Sequence, residues 1–242
     1  MAKSQPDAAV RAVTCPTHGD FESRNLCGPI WSRCPTCEGD SVAEYEAEER
    51  RERMHKRLER SGLRGRYADS TFANFVADTK ERRAVLTACR AYTENFTAAA
   101  GGLWLIGPPG TGKTHLGAAM VNDLIRERNT AAMLFSGREI IRQLRATWHT
   151  DSALSEADVL ARLGLVPLLV IDEIGVGSGS DVEHAQLFDV VDERYVHGNP
   201  TVILSNLPAE QLKQAMGHRA YDRLREGAKL LSCNWESRRG AR

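Results

Sequence analysis

The sequence predicts an α/β fold, in which helices cover both faces of a parallel sheet, with a small cysteine-rich module in front of it. From residue 63 onwards, strand-like and helix-like segments alternate. The strand-like segments are continuously apolar, which is typical of parallel strands buried on both faces. Four of the six cysteines lie within residues 15–37, where aliphatic residues are too few to build a core.

Composition limits the classes of protein that this chain can represent. Its 242 residues, 42% of them hydrophobic, suit one good-sized domain with a small appendage. Lys and Arg number 32, as do Asp and Glu, so the net charge of zero excludes a histone-like coating of nucleic acid but permits a local basic groove. No apolar run approaches the ~18 residues of a membrane span, and the first residues lack the apolar core of a signal peptide. We therefore expect a cytoplasmic protein without membrane association.

Three segments follow one another along the chain. Residues 1–14 show no periodicity and are predicted to be flexible. We expect a zinc-binding module over 1–40 and a charged helical linker over 41–64, since most linker residues are charged or strong helix formers. The main domain is predicted over 65–242.

Within the main domain the predicted elements alternate in a regular way. Strands are predicted over 102–106, 132–135, 168–171 and 201–204. Helices are predicted over 82–96, 113–127, 138–147 and 182–195. The region after residue 208 is predicted to be mostly helical until a strand at 229–233.

A glycine-rich turn follows the first of these strands. Residues 107–114 read GPPGTGKT, which matches G-x-x-x-x-G-K-[ST] in full and lies between a strand and a helix. Backbone N–H groups of such a loop surround phosphates, Lys113 would reach the β- and γ-phosphates, and the Thr114 hydroxyl would bind Mg²⁺. The residues predicted to bind ATP are Gly107, Pro108, Pro109, Gly110, Thr111, Gly112, Lys113, Thr114 and His115.

Polar residues end two further strands of the predicted sheet. The segment LLVIDE places Asp172 beside the expected Mg²⁺ and Glu173 where it can orient or deprotonate the attacking water. The segment TVILSN ends in Asn206, which would help to place that water near the γ-phosphate. The alternative for Asn206 is an ordinary turn or cap residue before Pro208.

The cysteine-rich module contains two similar segments, CPTHGD at residues 15–20 and CPTCEGD at 34–40. Each offers two metal ligands separated by two residues and followed by glycine, which is the form of a zinc knuckle. We expect one tetrahedral Zn²⁺ held by Cys15, His18, Cys34 and Cys37. The alternative set replaces His18 with Cys27, because thiolates are softer ligands. The remaining Cys89 and Cys233 lie in apolar segments and are predicted to be core thiols.

Together these motifs form a family pattern. The segments GPPGTGKTHL, LLVIDEIG, TVILSN, GHRAYDRLR and CNWESRR resemble the AAA+ ATPases of the DnaC type, which load the replicative helicase of bacteria. The resemblance covers roughly residues 65–240, and the IstB transposition helper ATPases share the same core. It implies a three-layer AAA+ fold, ATP hydrolysis, and assembly into a spiral or ring with ATP at the subunit boundary.

The resemblance also implies roles for three arginines and two aromatics. Arg223 matches the family's arginine finger, which completes the site of the neighbouring subunit, and Arg219 could share that role. Arg239 matches the sensor-2 arginine of the same subunit. The alternative for each arginine is a solvated helix face. The segment that contains Phe72 and Phe75 resembles the lining of the adenine pocket, although core packing is expected for at least one of them.

DnaC-type loaders hold single-stranded DNA, and the resemblance points to two DNA-contacting segments. Trp148 falls where the family places an aromatic that contacts the strand, and Arg142 and Arg145 on the preceding helix would serve phosphates. The alternative for Trp148 is a packing residue. The second segment contains the candidates Ser178 and Ser180, but Val182 stands where the family can carry an aromatic.

The resemblance implies that the N-terminal region, here residues 1–60, grips a replicative helicase. The alternative is that the zinc module contacts DNA, but acidic residues cancel its arginines, which favours a protein partner. The predicted function is an ATP-dependent loader that places a replicative helicase on single-stranded DNA during replication initiation and hydrolyses ATP to release it. The alternatives are an IstB-like transposition helper that acts on duplex DNA, and an adaptor that binds nucleotide without turnover.

Overall fold

A computed structural model describes residues 9–97, 99–149, 151–174 and 180–237. The chain divides into two compact units, residues 1–55 and 56–242. Among the described residues, no helix is both long enough and apolar enough to cross a membrane.

The first unit contains a small antiparallel sheet, with the strands in the order β1-β2-β3. The strands are β1 (Val10–Cys15), β2 (Gly19–Cys27) and β3 (Ile30–Trp31). Helix α1 (Pro35–Arg60) follows, and it begins six residues before the start that the charge pattern predicts. The prediction that residues 1–14 are flexible is wrong for Val10–Thr14, because these residues pair with β2 across the turn that follows Cys15. Pairing of this kind leaves no periodic signal when most side chains on both faces are exposed.

The second unit is built around a parallel sheet with the strand order β5-β6-β7-β4-β8. Its strands are β4 (Leu103–Ile106), β5 (Ala132–Ser136), β6 (Leu168–Asp172), β7 (Thr201–Ser205) and β8 (Lys229–Ser232). Its helices are α2 (Lys80–Glu94), α3 (Lys113–Arg126), α4 (Gly137–Ala146), α5 (Glu156–Leu165), α6 (Asp181–Val196), α7 (Ala209–Met216) and α8 (His218–Arg225). This arrangement confirms the predicted α/β fold.

Strand register brings the functional segments together. Every residue of β6 and β7 is buried, which explains the continuous apolar runs in the sequence. In register, Ile106 lies opposite Ser205 and Ser232, while Ser136 lies opposite Asp172. The segments that follow these strands therefore meet at one edge of the sheet, where open α/β folds bind ligands.

Helix α5 was not predicted from the sequence. Its start carries a capping box in which the Ser155 side chain accepts from the Asp158 backbone and Asp158 in turn accepts from the Ser155 backbone. The helix has only ten residues and lies beside a polar loop, so its periodic pattern of apolar residues is too short to stand out in the sequence. The two isolated thiols are buried, as predicted, and burial raises the pKa of Cys89 to about 12 and that of Cys233 to about 11.

A buried arginine, Arg194, stabilises the edge of the sheet that lies opposite the edge where the functional segments meet. Arg194 of α6 is 1% exposed, and its guanidinium donates to the carbonyls of Leu163 at 2.6 Å and Val166 at 2.9 Å and to Thr201 Oγ1 at 2.8 Å. Burial lowers the pKa of Arg194 to about 9. This side chain satisfies backbone carbonyls at the end of α5 and fixes the start of β7.

We expect Arg194→Met to lower the free energy of unfolding of the second unit by about 3 kcal/mol or more, because several buried carbonyls would lose their donor. Urea denaturation followed by tryptophan fluorescence measures this loss. Arg225→Met, an exposed position on α8, is the control and should change stability by less than about 0.5 kcal/mol. Equal effects of the two substitutions would contradict the assignment.

Candidate nucleotide and metal sites

The glycine-rich loop lies between the end of β4 and the first turn of α3. Gly112 caps α3 with a φ of 92°, a conformation that strains any other residue. A Cβ atom at Gly112 would lie 2.7 Å from Cε2 of Phe75, so both the backbone angle and the available space require glycine. Backbone N–H groups of a loop at a helix N-terminus are suited to bind phosphate.

Lys113 is the loop's cation. The side chain is buried, and its ammonium donates to the carbonyls of Gly107 at 2.7 Å and Pro108 at 2.8 Å and to Thr111 Oγ1 at 3.2 Å. Its charge also acts on the Asp172 carboxyl, whose pKa it lowers, and a cation in this loop attracts an anion.

Thr114 and Asp172 meet directly. The Thr114 hydroxyl donates to Asp172 Oδ2 at 2.7 Å, and the Glu173 backbone N–H donates to Asp172 Oδ1 at 2.8 Å. Burial raises the pKa of Asp172, while the Thr114 hydrogen bond opposes that shift. Hydroxyl and carboxylate oxygens at this spacing are the ligands that Mg²⁺ takes beside a nucleotide.

Glu173 and Asn206 lie at the same edge. Glu173 is exposed and has a φ of 52°, which a residue other than glycine adopts only when its surroundings impose it. Asn206 is exposed directly after β7, where Ser205 accepts from the Gly107 backbone N–H at 3.2 Å. The structure therefore brings the loop, Asp172, Glu173 and Asn206 to one edge of the sheet, as the sequence predicts.

A contact that the sequence did not reveal comes from the C-terminal segment. Trp235 Nε1 donates to the carbonyl of Thr111 at 3.0 Å, and a Cβ atom at Gly107 would lie 2.3 Å from the carbonyl oxygen of Cys233. The buried Arg82 of α2 donates to the carbonyl of Glu236 at 3.0 Å. The segment after β8 is thus held against the loop. The motif CNWESRR was the only signal for it, and no local pattern indicates its partners.

The two phenylalanines of the segment before the domain differ. Phe72 is buried, with the Arg90 guanidinium 5.8 Å from its ring centroid, and it packs as a core residue. Phe75 is half-buried and lies beside the loop, with its ring centroid 5.6 Å from that of His115.

The predicted zinc ligands form a compact cluster in the first unit. The ligand atoms of Cys15, His18, Cys34 and Cys37 all lie within 4.8 Å of one another. His18 Nδ1 is 3.3–3.8 Å from the three sulfurs, and the sulfurs of Cys15 and Cys37 are 3.6 Å apart. Tetrahedral Zn²⁺ places sulfurs about 3.8 Å apart and sulfur and nitrogen about 3.6 Å apart. Cys27 is exposed and is not a member of this cluster.

The surroundings of the cluster also suit a cation. Backbone N–H groups of Thr17 and His18 lower the pKa of Cys15, and the backbone N–H of Cys37 lowers that of Cys34. The hydrogen bond with Cys15 raises the pKa of Cys37 to about 11, because a neighbouring thiolate disfavours a second negative charge. His18 Nε2 lies 3.4 Å from Asp40 Oδ2, which would orient the ring for binding through Nδ1.

The predicted arginines lie away from the loop or outside the described residues. Arg223 and Arg219 are on α8, and Arg223 lines a cavity of about 250 Å³ together with Gly102 and Thr201. That cavity is at the edge of the sheet where β4 and β7 begin, opposite the phosphate loop. Arg239 lies outside the described residues.

The predicted DNA-contacting residues are mostly exposed. Trp148 is 59% exposed, and its Nε1 lies 3.3 Å from Glu156 Oε2. Arg142 is exposed, and Arg145 is paired with Glu183 at 3.2 Å. Ser180 caps α6 by accepting from the Glu183 backbone N–H, and Ser178 lies outside the described residues.

A phosphate loop and an acidic strand end on this parallel sheet define a P-loop ATPase with the AAA+ fold. The model of the IstB-like ATP binding protein family matches residues 40–241, and the chain belongs to that family. It is 34% identical over 198 residues to "Replicative helicase loader DnaC" of Escherichia coli strain K12, covering 81% of this chain and 80% of that protein. The same description applies to a protein of Buchnera aphidicola subsp. Acyrthosiphon pisum, 34% identical over 188 residues, with 77% and 76% covered.

Solved structures share the fold at lower identity. The crystal structure of the DnaC helicase loader aligns with a TM-score of 0.64 at 21% identity, covering 70% of this chain and 99% of that one. The replication initiator DnaA bound to AMPPCP and single-stranded DNA aligns with a TM-score of 0.60 at 20% identity, covering 72% and 51%. These likenesses confirm the AAA+ fold.

We expect Lys113→Ala to abolish ATP binding and turnover, because the loop would lose its cation. Glu173→Gln should retain ATP binding and lower turnover by at least about a hundredfold, because the amide cannot take the proton of the attacking water. Isothermal titration of ATP and a steady-state phosphate-release assay separate the two effects. Normal turnover by Glu173→Gln would exclude Glu173 as the base.

Proposed function

We propose that this protein is an ATP-dependent loader that places a replicative DNA helicase on single-stranded DNA. The observation that carries this proposal is its 34% identity to replicative helicase loaders over four-fifths of both chains. The assembled nucleotide site agrees with it. ATP hydrolysis, slow without partners, would release the helicase.

Each residue of the nucleotide site then has a role. Lys113 binds the β- and γ-phosphates, and Thr114 and Asp172 hold Mg²⁺, which neutralises phosphate charge. Glu173 activates the attacking water, and Asn206 positions it. Backbone N–H groups of the loop complete the binding of the phosphates.

The position of Arg223 supports an assembly in which subunits share sites. Strand β4 has four residues, so its two ends are about 10 Å apart. The phosphate loop follows one end, whereas Arg223 lies beside the other with Gly102. In this proposal Arg223 serves the ATP of a neighbouring subunit, with Arg219 one turn away, and Arg239 would contact the nucleotide of its own subunit. Repetition of this head-to-tail contact generates a spiral or ring.

The N-terminal region serves the partner helicase in this proposal. Residues 1–40 are assigned to a zinc-binding module, 41–64 to a helical linker that shares α1 (Pro35–Arg60) with the module, and 65–242 to the ATPase domain. Three sulfurs and one imidazole nitrogen at tetrahedral spacing support zinc as the metal of this module.

Single-stranded DNA would contact Trp148 and its neighbours. A Trp side chain that is 59% exposed offers a ring face on which a base can stack, and Arg142 offers a charge to the phosphates. Ser180 can still donate its hydroxyl hydrogen to a phosphate while it caps α6. Ser178, two residues earlier in the sequence, would join it.

We expect the protein to capture purified replicative helicase from the same cell in a pull-down. Residues 56–242 alone should fail to capture it, because the proposed helicase-binding region lies in the first unit. Size-exclusion chromatography with ATP provides a second readout. No complex with the full chain, together with tight binding of duplex DNA, would favour the IstB-like alternative.

For the metal, we expect one equivalent of zinc in the purified protein by elemental analysis. His18→Ala should lower the zinc content well below one equivalent because a ligand is lost, whereas Cys27→Ala should leave it unchanged. The reverse result would show that Cys27 is the fourth ligand.

Trp148→Ala should weaken the binding of a single-stranded oligonucleotide by about tenfold, because one base loses the aromatic ring on which it stacks. Fluorescence anisotropy in the presence of ATP measures this affinity. Trp148→Phe, which retains a ring, should lose much less. Equal affinity for all three proteins would assign Trp148 to another role.

A further inference from the structure

Arg223 is surrounded by side chains from one face of α6. Phe188, Asp192 and Tyr195 are spaced four and three residues apart, so they lie on one stripe of that helix. The Arg223 guanidinium carbon is 4.7 Å from the ring centroid of Phe188 and 5.2 Å from that of Tyr195. The Asp192 carboxylate forms an ion pair with Arg223 Nη1.

These contacts restrict the guanidinium without covering it. Nη1 is shielded from solvent and, apart from its ion pair with Asp192, has no hydrogen-bond partner among the described residues, yet the Arg223 side chain as a whole remains 33% exposed. A guanidinium has five N–H donors, and one carboxylate takes at most two of them. The remaining donors are left for an anion outside the subunit.

The residues that contact Arg223 are themselves fixed by contacts with other parts of the subunit. Phe188 packs against the core cluster, and the Tyr195 hydroxyl donates to Glu226 Oε2 at 2.9 Å. An arginine on a solvated helix face samples many rotamers and loses that freedom when it binds a phosphate. Here the rotamer is restricted before any partner arrives, which is the usual requirement for a group that must act on a transition state.

We propose that Asp192, together with the rings of Phe188 and Tyr195, positions Arg223 for the ATP of the neighbouring subunit. Asp192 is a positioning residue, since it acts only through Arg223. The inference rests on the proposed function of Arg223 and adds the residues that prepare it.

The first test is Asp192→Asn in the full chain, which retains the shape and removes the charge. ATP turnover in the presence of single-stranded DNA should fall by about tenfold or more, while the affinity of the isolated subunit for ATP stays unchanged. Asp189→Asn, an exposed carboxylate on the same helix, is the matched control and should turn over normally. Turnover of Asp192→Asn that equals or exceeds the wild-type rate would overturn the proposal.

The second test separates positioning from damage to the fold. Glu173→Gln subunits bind ATP but turn it over slowly, and they carry an intact Asp192–Arg223 pair, so they can complete the sites of Asp192→Asn subunits within one assembly. In a one-to-one mixture, each Asp192→Asn site should regain roughly half of the wild-type turnover. If Asp192→Asn had damaged its own nucleotide site, mixing would restore nothing, and that result would contradict positioning.

Arg223→Ala distinguishes this inference from the proposed function on which it rests. If Arg223→Ala turns over ATP at the wild-type rate, Arg223 is not the arginine finger and both proposals fail. If Arg223→Ala is slow and Asp192→Asn is normal, only the positioning role fails. Slow turnover in both variants, with rescue of Asp192→Asn by Glu173→Gln subunits, supports both proposals.

Discussion

The hydrogen bond between Thr114 and Asp172 is the contact on which the nucleotide site depends. It joins the first turn of α3 to the end of β6, although β7 lies between β6 and the strand that delivers the loop. The contact is possible because parallel strands in register end at one edge. Burial there raises the pKa of the carboxyl, and the strained Glu173 backbone donates to the same side chain. Two oxygens are thus held close together beside the loop that binds phosphate.

The two ends of the sheet carry different chemistry. At the carboxyl end, the C-terminal segment closes against the loop through Trp235 and Arg82, so distant parts of the chain stabilise the loop. At the other end, Arg194 fixes the backbone through carbonyl contacts, and Arg223 lies beside Phe188 and Tyr195. One arginine is fully buried and stabilises the fold, whereas the other remains partly exposed and available to a partner. The two arginines have the same chemistry, and they differ in role because their surroundings differ.

Much of the fold could be predicted because its signals are local. The strands β6 and β7 are buried along their whole length, so their apolar runs stand out, and the loop's glycines and lysine form a contiguous pattern. Strand β1 and helix α5 were missed for a different reason. Strand β1 is mostly exposed and depends on its partner β2, and the short α5 depends on packing against α6. Elements that tertiary contacts stabilise leave a weak periodic signal.

The sequence by itself determined the candidate site residues: the phosphate loop, the acidic pair after β6 and the cysteines and histidine of the two similar N-terminal segments. Ligand spacing left His18 and Cys27 as alternatives, and only the structure placed His18 Nδ1 within 3.3–3.8 Å of three sulfurs. The structure alone also decided that Trp235 supports the loop and that Asp192 pairs with Arg223. The reason is physical: a motif is a property of adjacent residues, whereas these contacts join residues that only the path of the folded chain brings together.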